Sequence, residues 1–209
     1  MKLFKLKSIA GDGLLYTLDM LVNDRIYLST CVYMNDINEG IWKNTDENGF
    51  FEFIDIAQKF KYKVYSQRFT CFVTSVENHL MWAHYAGGFS GVAIEYELDS
   101  TKFDIQKISY IGTPSVSKEQ MQSVLNNEKK LYDIGVLKQK DNFWSYEEEW
   151  RLFGTDDSEY ITNIKPKSVI LGPKQLLQHD ILIKTAINNG VRVGYLVPGI
   201  GVELKLEFD

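Results

Sequence analysis

Cysteine, histidine and proline are scarce in this chain, and the scarcity of the first two excludes whole classes of protein. The 209 residues include only two cysteines, three histidines and four prolines. Two cysteines cannot build the dense disulfide framework of a small secreted domain, and no Cys/His spacing typical of a zinc site occurs. Cys31 and Cys71 each lie in an apolar stretch. We therefore expect both to be buried free thiols.

Long hydrophobic runs and an excess of basic residues are also missing. No apolar run reaches the roughly 20 residues that a membrane-spanning helix needs, and the N-terminus lacks the hydrophobic region of a signal peptide. The net charge of -5 and the pI of about 5.3 argue against general affinity for the nucleic-acid backbone. We expect a cytoplasmic protein with no membrane partner, and the sequence gives no indication of its oligomeric state.

The residues that are present have the composition of a folded protein. Hydrophobic residues make up 44% of the chain and aromatic residues 13%, and no linker or repeat interrupts them. Residues 1–209 therefore predict a single α+β domain, with a mostly antiparallel sheet, continuous or split, and several short helices. Alternating patterns predict strands at 3–7, 25–30, 69–75, 91–98, 105–111, 144–152, 168–171, 191–197 and 202–208. Helical spacing predicts helices at 13–21, 50–60, 79–85, 118–131 and 176–188.

The most informative stretch is residues 144–152, where carboxylates and a guanidinium lie between large aromatics. If this stretch is a strand, Glu147, Glu149 and Arg151 share one face with Ser145, and the other face is mostly apolar. Neighbouring carboxylates raise each other's pKa, and the guanidinium opposes that shift. A row of this kind is typical of a ligand-facing strand, and equally of a solvated strand face with an ordinary salt bridge.

Four further residues are candidates for binding a ligand on the basis of residue type. Asp36 and Glu39 are suited to holding a metal ion or orienting a sugar, with Asn35 beside them, although an Asx turn followed by a helix cap explains the same residues. Lys5, on the first predicted strand, is either an anion-binding residue or an ordinary surface lysine. Each of these positions therefore has a functional and a structural interpretation.

Aromatic residues are concentrated on the short helix predicted at 79–85. Trp82 and Tyr85 are three residues apart and share a helix face, as Met81 and His84 do. The first pair is suited to stacking on a planar ligand, and the same spacing also fits core packing with a hydrogen-bonded histidine.

Four blocks of sequence, taken in order, resemble domain-of-unknown-function family 2971. The blocks are Leu3–Lys5, Tyr27–Ser29 followed by Asn35-Asp36-x-x-Glu39, Asn78–Tyr85 with Gly91, and Trp144–Arg151. The resemblance covers the chain from Leu3 to about Gly172. This chain differs from many members at Ile37, where they carry proline, and at Leu6, where they carry an aromatic residue. The resemblance implies a family but no established activity.

The layout of these blocks is also similar to that of the ADP-ribosyltransferase superfamily, whose members bind NAD in a split, mostly antiparallel sheet. That similarity implies that Lys5 lies near the phosphates or ribose of NAD and that Ser29 supplies a strand-end hydroxyl. It implies that Glu149 is the essential carboxylate and that Glu147 assists it. Arg151 then either neutralises Glu149 or binds the pyrophosphate.

Three functions are consistent with these residues. The first is an NAD-dependent transferase or hydrolase that uses the late glutamates and needs no metal, with an unknown protein or nucleic-acid acceptor. The second is a metal-dependent phosphodiesterase or nuclease, with Asp36, Glu39 and the late glutamates as oxygen ligands. The third is a non-catalytic recognition module, in which the tryptophans build a core or pocket and the carboxylates bind a partner.

Overall fold

Short strands and helices alternate along the chain, as the sequence predicts for an α+β protein. The computed structural model describes residues 1–45, 50–155, 158–198 and 204–208. The strands are β1 (Lys2–Lys7), β2 (Ile26–Tyr27), β3 (Ser29–Thr30), β4 (Lys43–Asn44), β5 (Arg68–Phe72), β6 (Val92–Glu97), β7 (Asp104–Lys107), β8 (Ser115–Val116), β9 (Trp150–Phe153), β10 (Tyr160–Ile161), β11 (Ser168–Leu171), β12 (Arg192–Pro198) and β13 (Leu204–Phe208). The α-helices are α1 (Gly13–Val22), α2 (Phe50–Ser66), α3 (His79–Tyr85), α4 (Lys118–Leu125) and α5 (Gln178–Asn188).

The strands form several separate sheets, most of whose pairs are antiparallel. The predicted fold class, α+β with a mostly antiparallel sheet, is therefore confirmed, and of the two forms left open the structure has the split one. In the described part of the chain, no helix is both long and apolar enough to span a bilayer.

Contacts within the chain divide it into two compact units. The first unit contains Met1–Tyr27, Cys71–Asp104 and Tyr160–Asp209, and the second contains Leu28–Thr70 and Ile105–Glu159. The expectation of one domain over residues 1–209 stays a prediction.

The first unit is built on a five-stranded sheet with the strand order β1-β6-β11-β12-β13. Strands β11 and β12 are parallel, and α5 supplies the crossover that a parallel pair requires. Strand β11 is buried along its whole length, and β6 is buried except at Glu97. Their nearly continuous apolar sequences are typical of strands that are covered on both faces. These two central strands provide much of the core of the first unit.

Helix α3 in the first unit begins and ends where the sequence predicts. The Asn78 side chain accepts a hydrogen bond from the backbone N–H of Leu80 at 2.9 Å, which caps the helix. Gly87 and Gly88 end it with φ angles of +58° and +62°. Gly91 lies so close to β1 that a Cβ atom there would be 2.2 Å from the Lys7 carbonyl oxygen, so only glycine fits.

The second unit contains most of a four-stranded sheet with the order β3-β5-β9-β7, together with α2 and α4, which pack on each other. The capping box predicted for α4 is present, because the side chains of Ser117 and Gln120 each accept the other's backbone N–H at 3.3 and 2.8 Å. The helix ends at Leu125, earlier than predicted, and Asn127 has a left-handed φ of +60°. A residue in that conformation cannot continue a helix.

The continuous strand predicted over residues 144–152 is wrong. Asn142–Glu147 forms a 3-10 helix, which begins where the Asp141 side chain accepts the Phe143 N–H at 3.1 Å. Glu148 ends that helix in the left-handed conformation, at φ 46° and ψ 43°, and only Trp150–Phe153 forms a strand. The local cap at Asp141 therefore outweighs the alternating pattern of the sequence.

The strand predicted over residues 25–30 is divided between two sheets. Strand β2 pairs with β10, whereas β3 pairs with β5. The chain therefore changes partner at Leu28, which is buried and donates its N–H to the Glu159 carbonyl at 2.8 Å. Alternation in a single sequence cannot reveal such a change of partner, because both halves keep the same period.

Candidate functional site

Five charged side chains of the second unit are buried together and form what we call the charge network. Its members are Glu39, Lys140, Glu147, Glu149 and Arg151, and none is more than 8% exposed. Buried charges are rare in proteins unless they are paired. In this network, three carboxylates face two cations. The sequence predicted four of these five residues as site residues, and the structure brings those four together.

Arg151, on β9, is the centre of the network. Its Nη1 and Nη2 atoms donate to the two carboxylate oxygens of Glu39 at 2.7 and 2.6 Å, in a bidentate pair. Its Nε and Nη2 atoms donate to Glu149 at 2.6 and 3.3 Å, and Nη1 also donates to the Leu137 carbonyl at 2.8 Å. All five N–H groups of the guanidinium therefore have acceptors within the protein. Arg151 neutralises Glu149, and a pyrophosphate would have to displace a carboxylate to bind it.

Lys140 brings the two late glutamates to a single point. Its Nζ atom lies 2.7 Å from Glu147 Oε2 and 2.8 Å from Glu149 Oε2. Burial opposes the charged form of Lys140, but the carboxylates of Glu149 and Glu147 more than offset that effect and hold its pKa above the ordinary value. The ammonium group therefore stays charged, and the two carboxylates share one counterion.

A tight turn places Glu39 in the network. The Asp36 side chain accepts the Asn38 N–H at 2.9 Å, and the Asp36 carbonyl accepts the Glu39 N–H at 3.0 Å. This is the Asx turn that the sequence offered as the structural interpretation of Asp36. Asn35 is exposed at the start of the turn. The polar cluster at 35–39 thus serves to orient one buried carboxylate.

Two residues next to the network have left-handed backbone conformations, which residues other than glycine rarely adopt. Leu137, whose carbonyl accepts from Arg151, has φ +60°, and Glu148, between the two late glutamates, has φ +46°. Such conformations cost on the order of 1–3 kcal/mol each and are concentrated at functional sites. The rest of the second unit therefore stabilises this local geometry.

Three aromatic side chains that are only partly buried border the network, and we call them the aromatic rim: Tyr110, Trp144 and Tyr146. The Tyr110 hydroxyl oxygen accepts the backbone N–H of Glu149 at 2.8 Å. The Lys140 ammonium lies 5.3 Å from the centre of the Trp144 ring, and the Trp144 and Tyr146 rings are 6.3 Å apart. These rings are therefore more exposed to solvent than the carboxylates of the network.

The carboxylates also affect the phenols of the rim. Burial, together with the charges of Glu149 and Glu147, raises the pKa of Tyr110 to about 12. Burial and the charge of Glu147 likewise raise the pKa of Tyr146. Both phenols therefore remain protonated at physiological pH and are able to donate a hydrogen bond.

Four of the predicted site residues belong to the first unit. Lys5 donates to the Cys71 carbonyl at 3.4 Å. Trp82 is fully buried, and its indole N–H donates to the Val76 carbonyl at 2.6 Å, as expected for a core residue. His84 is exposed and Tyr85 half-buried, with ring centres 6.4 Å apart. The interpretation of Trp82 as core packing therefore agrees with the structure better than ligand stacking does.

Ser29 and the two cysteines differ in their burial and contacts. Ser29 lies on β3, opposite Phe69, and its hydroxyl makes a long hydrogen bond of 3.4 Å to the Thr30 carbonyl. Both cysteines are free thiols; Cys31 is buried as expected, whereas Cys71 is only half-buried. Burial raises the pKa of Cys31 to about 11, so its thiol is not a reactive nucleophile.

A metal centre finds no support in the residues that the structure describes. Within the described ranges, no group of three or more His, Cys, Asp or Glu side chains is arranged to hold a metal ion. Lys140 and Arg151 occupy the carboxylate oxygens that the metal-dependent alternative requires.

Sequence reasoning missed Lys140 and Tyr110. Lys140 alternates with Lys138, which is typical of an exposed strand edge, and Tyr110 continues an apolar alternation that is typical of the core. Lys140 reaches its two carboxylates only because the 3-10 helix at Asn142–Glu147 turns the chain back. The residue spacings that indicate strands or helices could not predict that this turn brings Lys140 to the two carboxylates.

One comparison with known proteins gave a match. Residues 81–152 match the model of the family described as protein of unknown function DUF2971. This match confirms the family resemblance. It extends from α3 to β9, and it includes every member of the charge network except Glu39 as well as the whole aromatic rim. Neither the search of curated proteins nor the search of solved structures gave a match.

Proposed function

We propose that this protein cleaves the bond between nicotinamide and ribose in NAD and passes the ADP-ribosyl group to a protein, a nucleic acid or water. One observation carries the proposal. The carboxylates of Glu147 and Glu149 converge on a single ammonium, inside a buried network that is bordered by partly exposed aromatic rings. Most enzymes that cleave a glycosidic bond use a pair of carboxylates placed close to that bond.

The balance of charge in the network favours this reaction. Cleavage of the bond develops positive charge on the ribose, and three carboxylates against two cations leave an excess of negative charge close by. Preorganised groups of this kind act strongly where water is excluded. A single contribution of this type is worth about 3–4 kcal/mol of transition-state stabilisation.

The proposed step balances as follows. The bond between C1′ of the ribose and the pyridinium nitrogen breaks, and its electron pair neutralises the nicotinamide, which leaves. Glu149 stabilises the cationic ribose. An oxygen or nitrogen atom of the acceptor then forms a bond to C1′, and Glu147 takes the proton that the acceptor loses.

The aromatic rim is our candidate surface for the planar end of the substrate. The nicotinamide ring of NAD is flat and positively charged, and the faces of tryptophan and tyrosine rings attract such cations. Trp144 already has the Lys140 ammonium near its ring, at 5.3 Å from its centre. The rim thus takes the stacking role that the sequence suggested for Trp82, whose ring is fully buried.

A non-catalytic recognition module is the second candidate. The observation that favours it is the complete pairing of Arg151, whose five N–H groups all have protein acceptors. On this alternative, the charge network only stabilises the fold and the rim binds a partner. The experiment below separates the two candidates, because only an enzyme releases nicotinamide.

The test is release of nicotinamide from NAD, followed by chromatography of the reaction mixture. We expect release by the wild-type protein and a loss of about 10²–10³-fold in Glu149→Gln. The matched control is Glu148→Gln, because this neighbouring side chain is exposed, and we expect it to keep the wild-type rate. A thermal melt of each variant establishes that it is folded.

Two results would contradict the proposal. The first is a wild-type protein that neither releases nicotinamide nor changes its melting temperature when NAD is added. The second is equal release by the wild-type protein and a folded Glu149→Gln variant. The first result favours the recognition module, and the second moves the chemistry away from the charge network.

We also propose a cytoplasmic location, in which NAD would be available to the protein. The two free thiols agree with a reducing compartment. Fractionation of cells that express the chain, with immunodetection, tests this proposal. Recovery in a secreted fraction would contradict it.

A further inference from the structure

We infer that Lys140 is a positioning residue that keeps Glu147 and Glu149 ionised at the same time. Its effect on the reaction rests on the proposed function, because Glu147 can take a proton from the acceptor only while it is itself unprotonated. The protonation of the two glutamates does not involve NAD, so it can be measured without any substrate. Lys140 thus has a role beyond that of a structural ion pair.

The first observation is that one ammonium group lies between the two carboxylates. Lys140 Nζ lies 2.7 Å from Glu147 Oε2 and 2.8 Å from Glu149 Oε2, and all three side chains are buried. The two oxygens are therefore no further apart than the sum of these distances. Two ionised carboxylates at such a separation repel each other, and the low dielectric of a buried site strengthens that repulsion. Without a cation between them, one of the two would bind a proton.

The second observation is that Arg151, the other cation of the network, is already fully used. Its five N–H groups donate to the carboxylates of Glu39 and Glu149 and to the Leu137 carbonyl. If Lys140 were removed, one guanidinium would face three buried carboxylates. Glu149 would keep its contact with Arg151, whereas Glu147 would lose its hydrogen bond with Lys140. We therefore expect Glu147 to be the residue that binds the proton.

Other titratable groups face the network from the elements packed against it. On the neighbouring elements, these groups are the side chains of Cys31, Glu39, Tyr110, Tyr146 and Arg151. Burial raises the pKa of the thiol and of both phenols, so these three groups are neutral at physiological pH. Glu39 adds negative charge. Of this set only Arg151 is a cation, and Lys140 thus supplies one of the two positive charges of the network.

The first experiment compares the stability of the wild-type protein and Lys140→Met by urea denaturation at about pH 8 and pH 5.5. The variant should be less stable at the higher pH, because its buried carboxylates have lost a cation. Its folded chain then holds a proton that the unfolded chain releases above about 4.3, the ordinary pKa of glutamate. The stability deficit relative to the wild-type protein should therefore shrink by roughly half or more at the lower pH.

Two variants control for the charge and for its position. Lys140→Arg keeps the positive charge, so its deficit should not change with pH. Lys138→Met removes a lysine from the same segment, and that lysine is half-buried and donates to Gln106 at 3.2 Å and not to the carboxylates of the network. Its stability relative to the wild-type protein should also be independent of pH.

A measurement on the wild-type protein keeps the inference testable if Lys140→Met does not fold. Carbon NMR of labelled glutamate side chains follows each carboxyl group as the pH changes. The signals of Glu147 and Glu149 are identified by their absence from the two corresponding glutamine variants. Neither signal should show a titration step between about pH 8 and pH 5.5, because Lys140 holds both groups in the ionised form.

The second experiment is the pH profile of nicotinamide release from NAD. A general base works only when it is unprotonated, so kcat/KM falls on the acid side of its pKa. In Lys140→Met, we expect this acid limb to move to higher pH by about one unit or more. Lys140→Arg should keep the limb of the wild-type protein. A purely structural role of Lys140 would lower the rate by the same factor at every pH and leave the limb in place.

The outcomes separate this inference from the proposed function. A stability deficit of Lys140→Met that stays constant with pH overturns the inference, and so does a titration step of Glu147 or Glu149 in the wild-type protein. Absence of nicotinamide release, together with a deficit that shrinks as expected, overturns the proposed function and supports the control of protonation by Lys140. Release with an unmoved acid limb in Lys140→Met overturns the effect of Lys140 on the reaction. A moved limb in Lys140→Met, with Lys140→Arg unchanged, supports both.

Discussion

The two units of the chain bury different kinds of group. The first unit has a five-stranded sheet whose central strands are almost wholly buried and mostly apolar. The second has shorter strands and a buried network of five charges. Buried ion pairs are often no more stabilising than apolar residues of the same volume. The contrast indicates that the interior of the second unit provides more than stability.

The buried polar groups of the two units also differ in how well they are paired. In the second unit, every N–H of the Arg151 guanidinium has a protein acceptor. In the first, the Tyr96 hydroxyl is the one buried side-chain polar atom in the described ranges that has no hydrogen-bond partner. When every hydrogen-bonding group of a buried network is paired, the loss of any member lowers the stability of the protein. A single buried hydroxyl without a partner costs stability only at its own position. Two of the substitutions below, at Arg151 and Tyr96, use this difference, and two others test the backbone strain at Glu148 and the buried ring of His179.

Of these substitutions, removal of Arg151 should have the largest effect on the free energy of unfolding. Arg151→Leu leaves Glu39 and Glu149 with fewer partners in a buried place, and we expect a loss of about 3–5 kcal/mol in the free energy of unfolding. Urea denaturation followed by tryptophan fluorescence measures it. The control is Arg192→Leu in the first unit, whose partly exposed guanidinium lies 3.7 Å from Glu95 and should contribute less than about 1 kcal/mol. Equal losses in the two variants would contradict the contrast between the units.

Tyr96→Phe should stabilise the protein. The substitution removes a buried hydroxyl that has no partner and leaves the aromatic ring, which packs edge-on against Phe72 at 5.8 Å. We expect a gain of about 1–2 kcal/mol, because the group no longer has to be stripped of water. Thermal and urea denaturation measure the change. A loss of stability would mean that the hydroxyl has a partner, such as an internal water.

Glu148→Gly should stabilise the second unit slightly. Glycine removes the cost of the left-handed conformation, about 1–2 kcal/mol, but it also makes the unfolded chain more flexible. We expect a net gain of about 0.5 kcal/mol by urea denaturation. Ser145→Gly, at an exposed position of the 3-10 helix without this conformation, should instead destabilise. The same sign for both variants would contradict the assignment of strain to Glu148.

The smallest effect should be a dependence on pH that arises from His179 in the first unit. Its Nε2 atom faces the Ser90 carbonyl at 2.9 Å, and its Nδ1 atom faces the backbone N–H of Leu176 at 3.3 Å. A neutral ring satisfies both contacts. Burial lowers the pKa of His179, although the Ser90 carbonyl and Asp180 favour the charged form. The unfolded chain therefore binds the proton more readily.

The sign of that dependence follows from linkage. Because the pKa is lower in the folded state, stability should fall as the pH drops below about 6.5, the ordinary value for histidine. Melting temperatures at pH 7.5 and 5.5 measure the change, and His179→Gln should show less of it than the wild-type protein. His84→Gln, an exposed histidine of the same unit, should keep the wild-type dependence. No difference between the two variants would contradict the role of His179.

The sequence predicted the first unit better than the second, for a physical reason. Strands such as β1, β6 and β11 carry continuous or alternating apolar patterns, and the cap at Asn78 acts within two residues. These signals are local. The split of residues 25–30 between two sheets depends on partners far along the chain, so periodicity could not reveal it. The 3-10 helix before β9 begins at the cap formed by Asp141, which the alternating pattern does not record.

The candidate site was predicted in part. The residue types at Glu39, Glu147, Glu149 and Arg151 marked them as unusual, because charges among aromatic residues often lie in a site. Their pairing could not be predicted, since Arg151 and Glu39 are 112 residues apart in sequence. Lys140 was missed, because a lysine in an alternating polar stretch has the same appearance whether it is exposed or buried.

Hydrogen–deuterium exchange of the wild-type protein, with and without NAD, tests the central claim most directly. The claim is that the charge network is a ligand site reached through the aromatic rim. We predict that NAD slows exchange in segments 109–112 and 141–149, and leaves β6 and β11 of the first unit unchanged. No change in the two segments of the second unit, or protection confined to other parts of the chain, would contradict the account.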